Sequence, residues 1–483
     1  MILRRAFAGT HKAGLASLLT AAILAGAQAP PAAGPYQPTT QSLRKHKAPQ
    51  WFEDAKFGIF IHWGPYAVPA FHEWYVEFIS PKAQFGFMFG GPPYVAGRDN
   101  LPEELFRANI REEAFRYHLQ NWGPNFAYDD FLPMFKAEKY DPQAWARLFQ
   151  EAGARYVVLT AKHGDEFAMW PTKYTKRNAM EIGPRRDLAG ELLKAVRGLG
   201  MKMGFYHNTT YTFWDMRYPG RDWVEYMNNS IKELVDLYRP DILWGDVKVG
   251  PVRDRNGNFL PADYWGSKEV LAYFYNHASN PEEVVANDRW GLDTDGKSLG
   301  DFATPERARM RNISWEKWET CDSLDPTSWG YNRRARTGDY MTANELVDYL
   351  ADVVSKNGNL LINVGPTAEG VIPEVMQQAL RGVGEWLRVN GEAIYGTRPW
   401  EVYRDGDVRF TRKGNTLYAI ALEWPEQELR LSSLAGKPVL RVELLGSQEQ
   451  VRWRSQPDAL VIESPAQRPS KYAYAFRITC RAL

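Results

Sequence analysis

Residues 55–64 read AKFGIFIHWG, and this stretch determines the first element of the fold. Its apolar and small residues, FGIFI, run without alternation into His62, Trp63 and Gly64. A continuous apolar stretch of this length is typical of a strand that is buried on both faces, as in a parallel sheet. Polar side chains directly after the strand predict a functional edge, because active-site residues follow the strands in barrels of this class.

Five further apolar stretches end in the same way. They are YVVLT before Lys162 and His163, MGFY before His207 and Asn208, ILW before Asp246, VVA before residues 287–290, and LLI before residues 363–366. Helical spacing lies between several of them, at residues 141–149, 188–199 and 223–238, and the first begins with Asp141 and Pro142, a favoured N-cap and first position. Alternating strands and helices predict an α/β fold, a (β/α)8-type barrel, with six strands identified and two inferred.

The amino-terminal residues have a different composition. Arg4, Arg5 and Lys12 precede a short apolar stretch at residues 15–25, and Ala27-Gln28-Ala29 fits a cleavage site. Residues 1–29 therefore predict a signal peptide and export to the periplasm or the extracellular space. The stretch is too short for a confident membrane span, so we expect no integral membrane domain. Residues 30–50, rich in Pro, Ala, Gln and Lys, predict a linker or N-terminal arm.

Two other parts of the chain depart from the barrel pattern. Within a catalytic barrel at residues 51–397, the stretch at about 78–113 is rich in Gly and Pro and predicts a long loop over the barrel mouth, either a lid or a wall of the site. Residues 398–483 contain short alternating segments such as 408–411 and 416–421. They predict a C-terminal antiparallel β-sandwich.

Composition limits the classes of function. The chain of 483 residues is long enough for two domains, and its 59 Lys and Arg against 58 Asp and Glu give no basic footprint for nucleic acid. The 18 Trp, 25 Tyr and 23 Phe fit either a sugar-stacking site or a large aromatic core, and composition does not separate the two. Cys321 and Cys480 are most simply two unpaired, buried thiols.

Two carboxylates are the candidate catalytic groups. Asp246 follows a buried strand and would sit at the barrel mouth, although Asp is also a favoured N-cap for the next helix. Glu319 lies beside Trp318, near Trp315, and desolvation there would raise its pKa as a general acid needs, although a salt-bridged structural Glu is as good an interpretation. Glu306 and Glu316 are nearby competitors.

Six side chains are candidates for binding sugar hydroxyls or stacking on a sugar ring: His62, Glu73, Trp74, His163, Tyr206 and His207. A single His is more often structural, but three histidines at strand ends favour a site. The histidines are scattered without short ligand spacing, so we expect no metal. We also find no phosphate loop, dinucleotide fingerprint or Gly-x-Ser-x-Gly elbow, so we expect no cofactor.

These motifs together resemble those of glycoside hydrolase family 29, the α-L-fucosidases, over roughly residues 45–480. The matching stretches are AKFGIFIHWG from Ala55, EWY from Glu73, AGARYVVLTAKH from Ala152, GPRRDL from Gly183, YRPDILWGD from Tyr238, NDRWG from Asn287, Trp318-Glu319 with SWGY from Ser328, NVGP from Asn363 and NGEAIY from Asn390.

The resemblance implies a barrel with a C-terminal β-sandwich and a retaining exo-glycosidase that needs no cofactor. Its substrate would be an oligosaccharide or glycoconjugate with terminal α-L-fucose. Asp246 resembles the nucleophile and Glu319 the acid/base of the family. The remaining matches, His62, Glu73, Trp74, His163 and Tyr206, resemble the residues of the fucose pocket.

The chain departs from the family pattern beside the site. The family has a His-His pair followed by Asp-Gly-Phe, but this chain reads HGDEF from His163, so Gly164 replaces one imidazole and Glu166 adds a carboxylate. Val247 stands where Gly usually follows the nucleophile. Two alternatives therefore stay open: the same chemistry on a related sugar such as an α-L-galactoside, and a carbohydrate-binding protein without hydrolytic activity.

Overall fold

The first barrel strand of the computed structural model is β1, Phe57–Ile61, and all of its residues are buried. The structure describes residues 34–79, 103–208, 221–246, 264–292 and 295–481. Phe57, Ile59 and Ile61 pack outward against the helices, and Phe60 packs into the barrel interior. A Cβ on Gly58 would lie 2.3 Å from the Tyr156 ring, so only glycine leaves room for that tyrosine.

Within the described residues, seven parallel strands form the barrel sheet, in the order β5-β4-β3-β2-β1-β7-β6. Besides β1 they are β2 Tyr156–Lys162, β3 Lys202–Asn208, β4 Ile242–Asp246, β5 Val285–Ala286, β6 Trp318–Ser323 and β7 Gly358–Val364. The six strands predicted from sequence are confirmed. The strand β6, which is rich in polar residues, is the one that the apolar pattern did not identify.

An irregular stretch occupies the eighth place, between β5 and β6. We call residues 301–307 the closing segment. Its Asp301 N donates to Ala286 O of β5 (2.8 Å), and its Ala303 N donates to Lys317 O just before β6 (3.0 Å). Parallel bridges join Asn287 to Phe302 and Ala303 to Trp318. The closing segment thus completes the barrel that the sequence predicts, without the regular pairing of a strand.

Helices follow the strands as the sequence pattern predicts. Asp141 accepts backbone hydrogen bonds from Gln143 and Ala144 as the N-cap of α5. The described helices are α1 Thr40–Leu43, α2 Gln50–Ala55, α3 Tyr75–Ile79, α4 Glu103–Asn121, α5 Pro142–Glu151, α6 Leu188–Gly198, α7 Arg221–Tyr238, α8 Ser267–His277, α9 Ala343–Ser355 and α10 Glu374–Asn390. None of them is long and apolar enough to cross a membrane.

Three expectations from the sequence fall wholly or partly outside the described residues: the loop at 78–113, the signal peptide and the N-terminal arm. The expected loop at 78–113 ends in a helix, because residues from Glu103 onward belong to α4, and residues 80–102 lie outside the described residues. The expected signal peptide also lies outside them. In the described part of the N-terminal arm, Tyr36 and Leu43 pack with α8. Tyr36 N donates to Asn276 Oδ1 (3.0 Å), and Asn276 Nδ2 donates to Tyr36 O (2.7 Å).

The C-terminal residues form two antiparallel sheets, as the sequence predicts. The strands are β8 Arg404–Asp405, β9 Val408–Lys413, β10 Thr416–Ala421, β11 Glu428–Leu431, β12 Val439–Leu444, β13 Trp453–Gln456, β14 Ala459–Glu463 and β15 Tyr474–Cys480. Their orders are β12-β15-β10-β9-β8 and β11-β14-β13, and the sheets share one apolar core. Trp386 of α10 donates to Ala473 O (2.6 Å), which fixes this domain against the barrel helices.

Both cysteines of the chain lie within the described residues. Cys321 is buried in β6 and Cys480 is buried in β15, and both are free thiols. The prediction of two unpaired, buried cysteines is confirmed.

Candidate active site

Asp246 is the last residue of β4 and lies at the carboxyl end of the barrel, where its position in the sequence predicts it. Tyr206 of β3 donates its hydroxyl to Oδ2 (2.7 Å), and Arg289 donates Nη1 to Oδ1 (2.7 Å). The Asp246 side chain is 24% exposed, so the carboxylate is held firmly but is open to the mouth. Val247 and the residues to 263 lie outside the described residues.

The backbone before Asp246 is held by an amide side chain. Asn287 follows β5, which is only two residues long, and its side chain accepts from Gly245 N and donates to Gly245 O, both at 2.8 Å. This paired contact extends the barrel edge beyond the last regular pairing of β4 with β5. It therefore fixes the strand end that presents Asp246.

Arg289 connects two carboxylates. Its guanidinium is buried and held by Thr304, through Nε to Oγ1 and Nη2 to the backbone oxygen, both at 3.1 Å. Nη1 contacts Asp246 (2.7 Å) and Glu306 Oε2 (3.1 Å). Burial alone would lower the pKa of Arg289, but the two carboxylates raise it well above its ordinary value, so the cation persists.

Glu306 is carried by the closing segment and lies beside Asp246. The two contacts to Arg289 share one nitrogen, so the nearest oxygens of the two carboxylates are separated by less than the sum of 2.7 and 3.1 Å. The Glu306 side chain is 45% exposed, which leaves it accessible at the mouth. From the sequence alone, Glu306 is only a competitor of Glu319.

Glu319 lies at the opposite end of the barrel. It is the second residue of β6 and pairs with Asn359 near the start of β7, whereas Asp246 is the last residue of β4. Its Oε2 accepts from the Tyr156 hydroxyl (2.5 Å) and its Oε1 from Trp244 Nε1 (3.2 Å). Burial raises the pKa of Glu319 to about 7, the direction that the flanking tryptophans predicted.

The remaining competitor is placed away from the mouth. Glu316 is exposed in the segment that precedes β6, at the amino end of the barrel. Of the candidate carboxylates that the sequence offered, Asp246 and Glu306 are the two that the structure brings together.

His62 is fixed in one tautomer by Asn363. Asn363 Oδ1 accepts both from the His62 backbone N (3.0 Å) and from its Nδ1 (2.8 Å), while its Nδ2 donates to Ser323 and to the Trp329 backbone oxygen. Burial, together with the nearby His163, lowers the pKa of His62 to about 3. The ring is therefore neutral, with the proton on Nδ1 and a lone pair on Nε2.

His163 lies across from His62, with ring centroids 5.6 Å apart, and stacks on Tyr206 at 5.8 Å. It is buried, which lowers its pKa, and its Nδ1 has no hydrogen-bond partner among the described residues. A buried ring nitrogen without a partner costs free energy unless something binds it. His163 therefore has an open polar contact that faces a cluster of aromatic rings.

Trp74 occupies space that Gly164 leaves. A Cβ on Gly164 would lie 2.6 Å from the Trp74 ring, and Trp74 lies 4.7 Å from the His163 ring at an angle of 61°. Any side chain at position 164 would displace the indole. The missing imidazole thus does not leave a hole, because Trp74 fills it.

The Glu73 carboxylate binds the loop at residues 328–330. Its Oε2 accepts from Ser328 Oγ, Trp329 N and Gly330 N at 3.0, 3.0 and 3.2 Å. Burial would raise the pKa of Glu73, but the neighbouring imidazoles lower it to about 2. The ionised carboxylate holds the loop that brings Trp329 within 5.1 Å of His62.

Glu166, part of the HGDEF departure from the family pattern, is stabilised by a buried ion pair. Glu166 has a φ of 63°, a left-handed backbone that favours glycine, and its carboxylate lies 2.7 Å from Lys162 Nζ. Both side chains are buried, and the Lys162 amine also donates to the Tyr226 hydroxyl of α7 (3.2 Å). The ion pair spans the turn that carries His163.

His207 does not face the pocket, which corrects the sequence expectation. Successive side chains of a strand point to opposite faces, so Tyr206 points inward and His207 outward. Its Nδ1 contacts Asn208 O (2.6 Å) and its Nε2 contacts Ser230 of α7 (3.3 Å). His207 is a structural residue between sheet and helix.

Arg289 and Trp329 contact the site residues but were not predicted from the sequence to do so. Arg289 follows the short strand β5, so the polar stretch after a strand was a usable signal. Trp329 reaches the pocket from a loop that Glu73 anchors, and no local pattern indicates that. Within the described ranges, no group of His, Cys, Asp and Glu is placed to hold a metal ion.

A closed α/β barrel with two carboxylates at its mouth and imidazoles and indoles around them has the architecture of a glycoside hydrolase. The chain belongs to the α-L-fucosidase family: the family model matches residues 23–392, and the model of the α-L-fucosidase C-terminal domain matches residues 403–479.

Relatives agree over nearly the whole chain. The tissue α-L-fucosidase of Homo sapiens is 34% identical over 97% of this chain and 98% of its own, and the plasma α-L-fucosidase of Rattus norvegicus is 35% identical over 92% and 94%. The structure of the Thermotoga maritima α-fucosidase with a mechanism-based inhibitor has 35% identity and a TM-score of 0.76, and covers 92% of this chain and 100% of that one. The same enzyme with fucose bound has a TM-score of 0.75 at 34% identity, with coverage of 92% and 100%.

Proposed function

We propose that the protein releases terminal α-L-fucose from oligosaccharides or glycoconjugates with retention of configuration, with Asp246 as nucleophile and Glu306 as acid/base. The observation that carries the proposal is the contact of both carboxylates with Arg289 Nη1, at 2.7 and 3.1 Å. Retaining glycosidases hold their two carboxyl groups ~5–5.5 Å apart and inverting ones ~6.5–9.5 Å apart. The contacts to Arg289 keep the nearest oxygens below the inverting range.

The reaction has two displacements. Asp246 attacks the anomeric carbon and forms an ester bond, while the glycosidic bond breaks and Glu306 gives its proton to the leaving oxygen. Glu306 then removes a proton from water, whose oxygen attacks the same carbon, and the ester bond to Asp246 breaks. Arg289 and Tyr206 stabilise the Asp246 carboxylate whenever it is free.

Glu306 replaces Glu319 as the proposed acid/base for a geometric reason. A general acid must reach the glycosidic oxygen, and Glu306 is 45% exposed at the mouth. Glu319 is 1% exposed among the side chains of the barrel interior.

The pocket around Asp246 fits a 6-deoxy sugar. For ring hydroxyls, His62 Nε2 offers an acceptor and His163 Nδ1 a polar atom that has no partner among the described residues. Trp74 offers a stacking face. Below them Phe60 and Trp244 pack with ring centroids 5.1 Å apart, which gives an apolar surface for the C5 methyl group of fucose. These contacts support fucose over sugars with a hydroxymethyl group.

The two alternatives fit less well. An α-L-galactoside carries a further hydroxyl on C6, which would lie against the apolar rings of Phe60 and Trp244 without a hydrogen-bond partner. A binding protein without turnover has no use for two carboxylates on one arginine at the barrel mouth.

The proposal is tested with 4-nitrophenyl α-L-fucoside, with the α-L-galactoside alongside. We expect fucoside turnover, α-fucose as the first anomer seen by NMR, and loss of turnover in the D246A variant. E306A should lose much less on this substrate, because 4-nitrophenol leaves without a proton. E316A is the matched control, because Glu316 is exposed at the other end of the barrel. A β-fucose first product would contradict the retaining mechanism, and fucose binding without turnover in the unmodified protein would support the binding-protein alternative.

A further inference from the structure

Glu319 is buried in the barrel interior at the amino end. Both of its carboxyl oxygens accept hydrogen bonds from interior side chains, Oε2 from the Tyr156 hydroxyl (2.5 Å) and Oε1 from Trp244 Nε1 (3.2 Å). Its backbone N donates to Ala303 O of the closing segment (2.8 Å). The side chain, its two partners and the closing segment therefore form one polar unit beneath the pocket.

Trp244 connects this unit to the catalytic carboxylate. Its indole stacks on the Tyr206 ring at 5.6 Å and 27°, and the Arg289 guanidinium lies 4.7 Å above it. Tyr206 and Arg289 are the residues that hold the two oxygens of Asp246. A rotation or shift of the indole would move both of them.

An indole has one polar group, the Nε1–H hydrogen-bond donor. In Trp244 that donor is satisfied by Glu319, so the hydrogen bond selects one orientation of the ring. We propose that Glu319 is a positioning residue that fixes the Trp244 indole as the floor of the sugar pocket and, through it, aligns Tyr206 and Arg289 on Asp246. This inference rests on the proposed role of Asp246 as nucleophile.

The charge of Glu319 is not required for this role. Burial raises the pKa of Glu319 to about 7, and a neutral carboxyl still has a carbonyl oxygen that accepts from Trp244. Glutamine keeps that acceptor. E319Q should therefore retain the orientation of the indole, and E319L should lose it.

The test compares two α-L-fucosides, one with 4-nitrophenol and one with methanol as the leaving group. We expect E319L to lower kcat/KM for both by a similar factor of roughly 10 to 100, because a buried N–H loses its acceptor. E319Q should stay within about 3-fold of the unmodified protein, as expected for a variant that keeps the hydrogen bond. Added azide should restore nothing in E319L.

A proton-transfer role gives a different pattern. Loss of an acid/base would affect the methyl fucoside far more than the nitrophenyl fucoside, and azide would restore turnover as fucosyl azide. Either result in E319L, or an E319Q loss as large as that of E319L, would overturn the positioning role.

The double variant keeps the inference testable if E319L folds poorly. This measurement uses E319M, another apolar replacement, with and without W244F. Because W244F removes the indole N–H, E319M should change kcat/KM far less in the W244F background than in the presence of Trp244. Equal effects in both backgrounds would overturn the inference. Failure of the proposed function is read separately, from full activity in D246A, which leaves Glu319 and Trp244 intact.

Discussion

Carboxylates lie both at the carboxyl end of the barrel, its mouth, and at the amino end, which we call the base. Their surroundings differ in exposure and in charge. At the mouth, Asp246 and Glu306 are partly exposed and share the Arg289 cation. At the base, Glu319 is fully enclosed by neutral donors, and burial raises its pKa to about 7. A raised pKa in a carboxyl group therefore does not by itself identify a catalytic acid. In the proposed assignment, access to the mouth and a second carboxylate within reach distinguish Glu306 from Glu319.

The cations repeat this contrast. Two carboxylates raise the pKa of Arg289 at the mouth. At the base, burial and the nearby Lys317 lower the pKa of Lys56 well below its ordinary value, and burial lowers that of Lys317 to about 8. Charge is thus preserved on Arg289 at the mouth and is disfavoured on Lys56 and Lys317 at the base, because only Arg289 has two carboxylates in contact with it.

The largest expected effect is on kcat/KM, and its dependence on the leaving group distinguishes Glu306 from Glu319. E306A should lower kcat/KM for the methyl fucoside by about 10²- to 10⁴-fold, because proton transfer to a poor leaving group is lost. The nitrophenyl fucoside should lose much less, and azide should restore turnover. Equal losses for both substrates would remove Glu306 from the acid/base role, and the E316A variant provides the control.

The next effect is on the free energy of unfolding, whose pH dependence should report the raised pKa of Glu319. Burial raises the pKa of Glu319 from 4.5 to about 7, so the folded protein binds a proton that the unfolded chain has released between these pH values. The free energy of unfolding, relative to that of E319Q, should therefore fall as the pH rises from about 4.5 to about 7, by at most roughly 3 kcal/mol. Urea unfolding of both proteins at the two pH values measures it.

The control for this measurement is E316Q, which changes an exposed glutamate near the same end of the barrel. A difference between the unmodified protein and E319Q that does not vary with pH would contradict the account, since it would mean that Glu319 stays ionised in the folded state.

A smaller effect concerns the turn after His163. E166G relieves a left-handed backbone, which costs about 1–2 kcal/mol for a side-chain residue, but it leaves buried Lys162 without its carboxylate, which costs about 3–5 kcal/mol. We expect a net destabilisation of roughly 2 kcal/mol by urea unfolding, on these same magnitudes. The K162M/E166G double variant should recover part of it. Greater stability of E166G alone would show that the ion pair contributes little.

The smallest effect concerns Trp74. In G164A the new methyl group would lie 2.6 Å from the indole, so the ring must move, and we expect KM for the fucoside to rise a few-fold with kcat less affected. G198A in α6 is the matched control, because its added Cβ would meet no described atom within 4 Å outside its chain neighbours and its own helix backbone. An unchanged KM in G164A would mean that Trp74 does not contact the sugar.

The sequence predicted the parts of the fold that carry a local signal. Strand β1 and the other apolar strands are buried on both faces, and that appears in the sequence as uninterrupted apolar residues. Strand β6 reads WETCDS and gives no such pattern, because its inward polar groups are satisfied by partners from distant strands. The closing segment has no strand pattern to find.

The site residues likewise differ in whether a local sequence pattern predicts them. Asp246 was predictable because it ends a strand that begins with apolar residues. Tyr206 lies in the neighbouring strand β3, and His163 directly follows β2. Glu306 and Glu319 are only 13 positions apart in the sequence. The choice between them depends on which end of the barrel each one reaches, and no local sequence pattern indicates that. Register between β6 and β7 placed Glu319 at the base.

The most direct test of the account is to trap the covalent intermediate. Incubation with 2-deoxy-2-fluoro-α-L-fucosyl fluoride, followed by proteolysis and mass spectrometry, locates the labelled residue. We expect one fluorofucosyl group per protein on the peptide that contains Asp246, and no label in D246A. A label on Glu306 or Glu319, or a label that persists in D246A, would contradict Asp246 as the nucleophile.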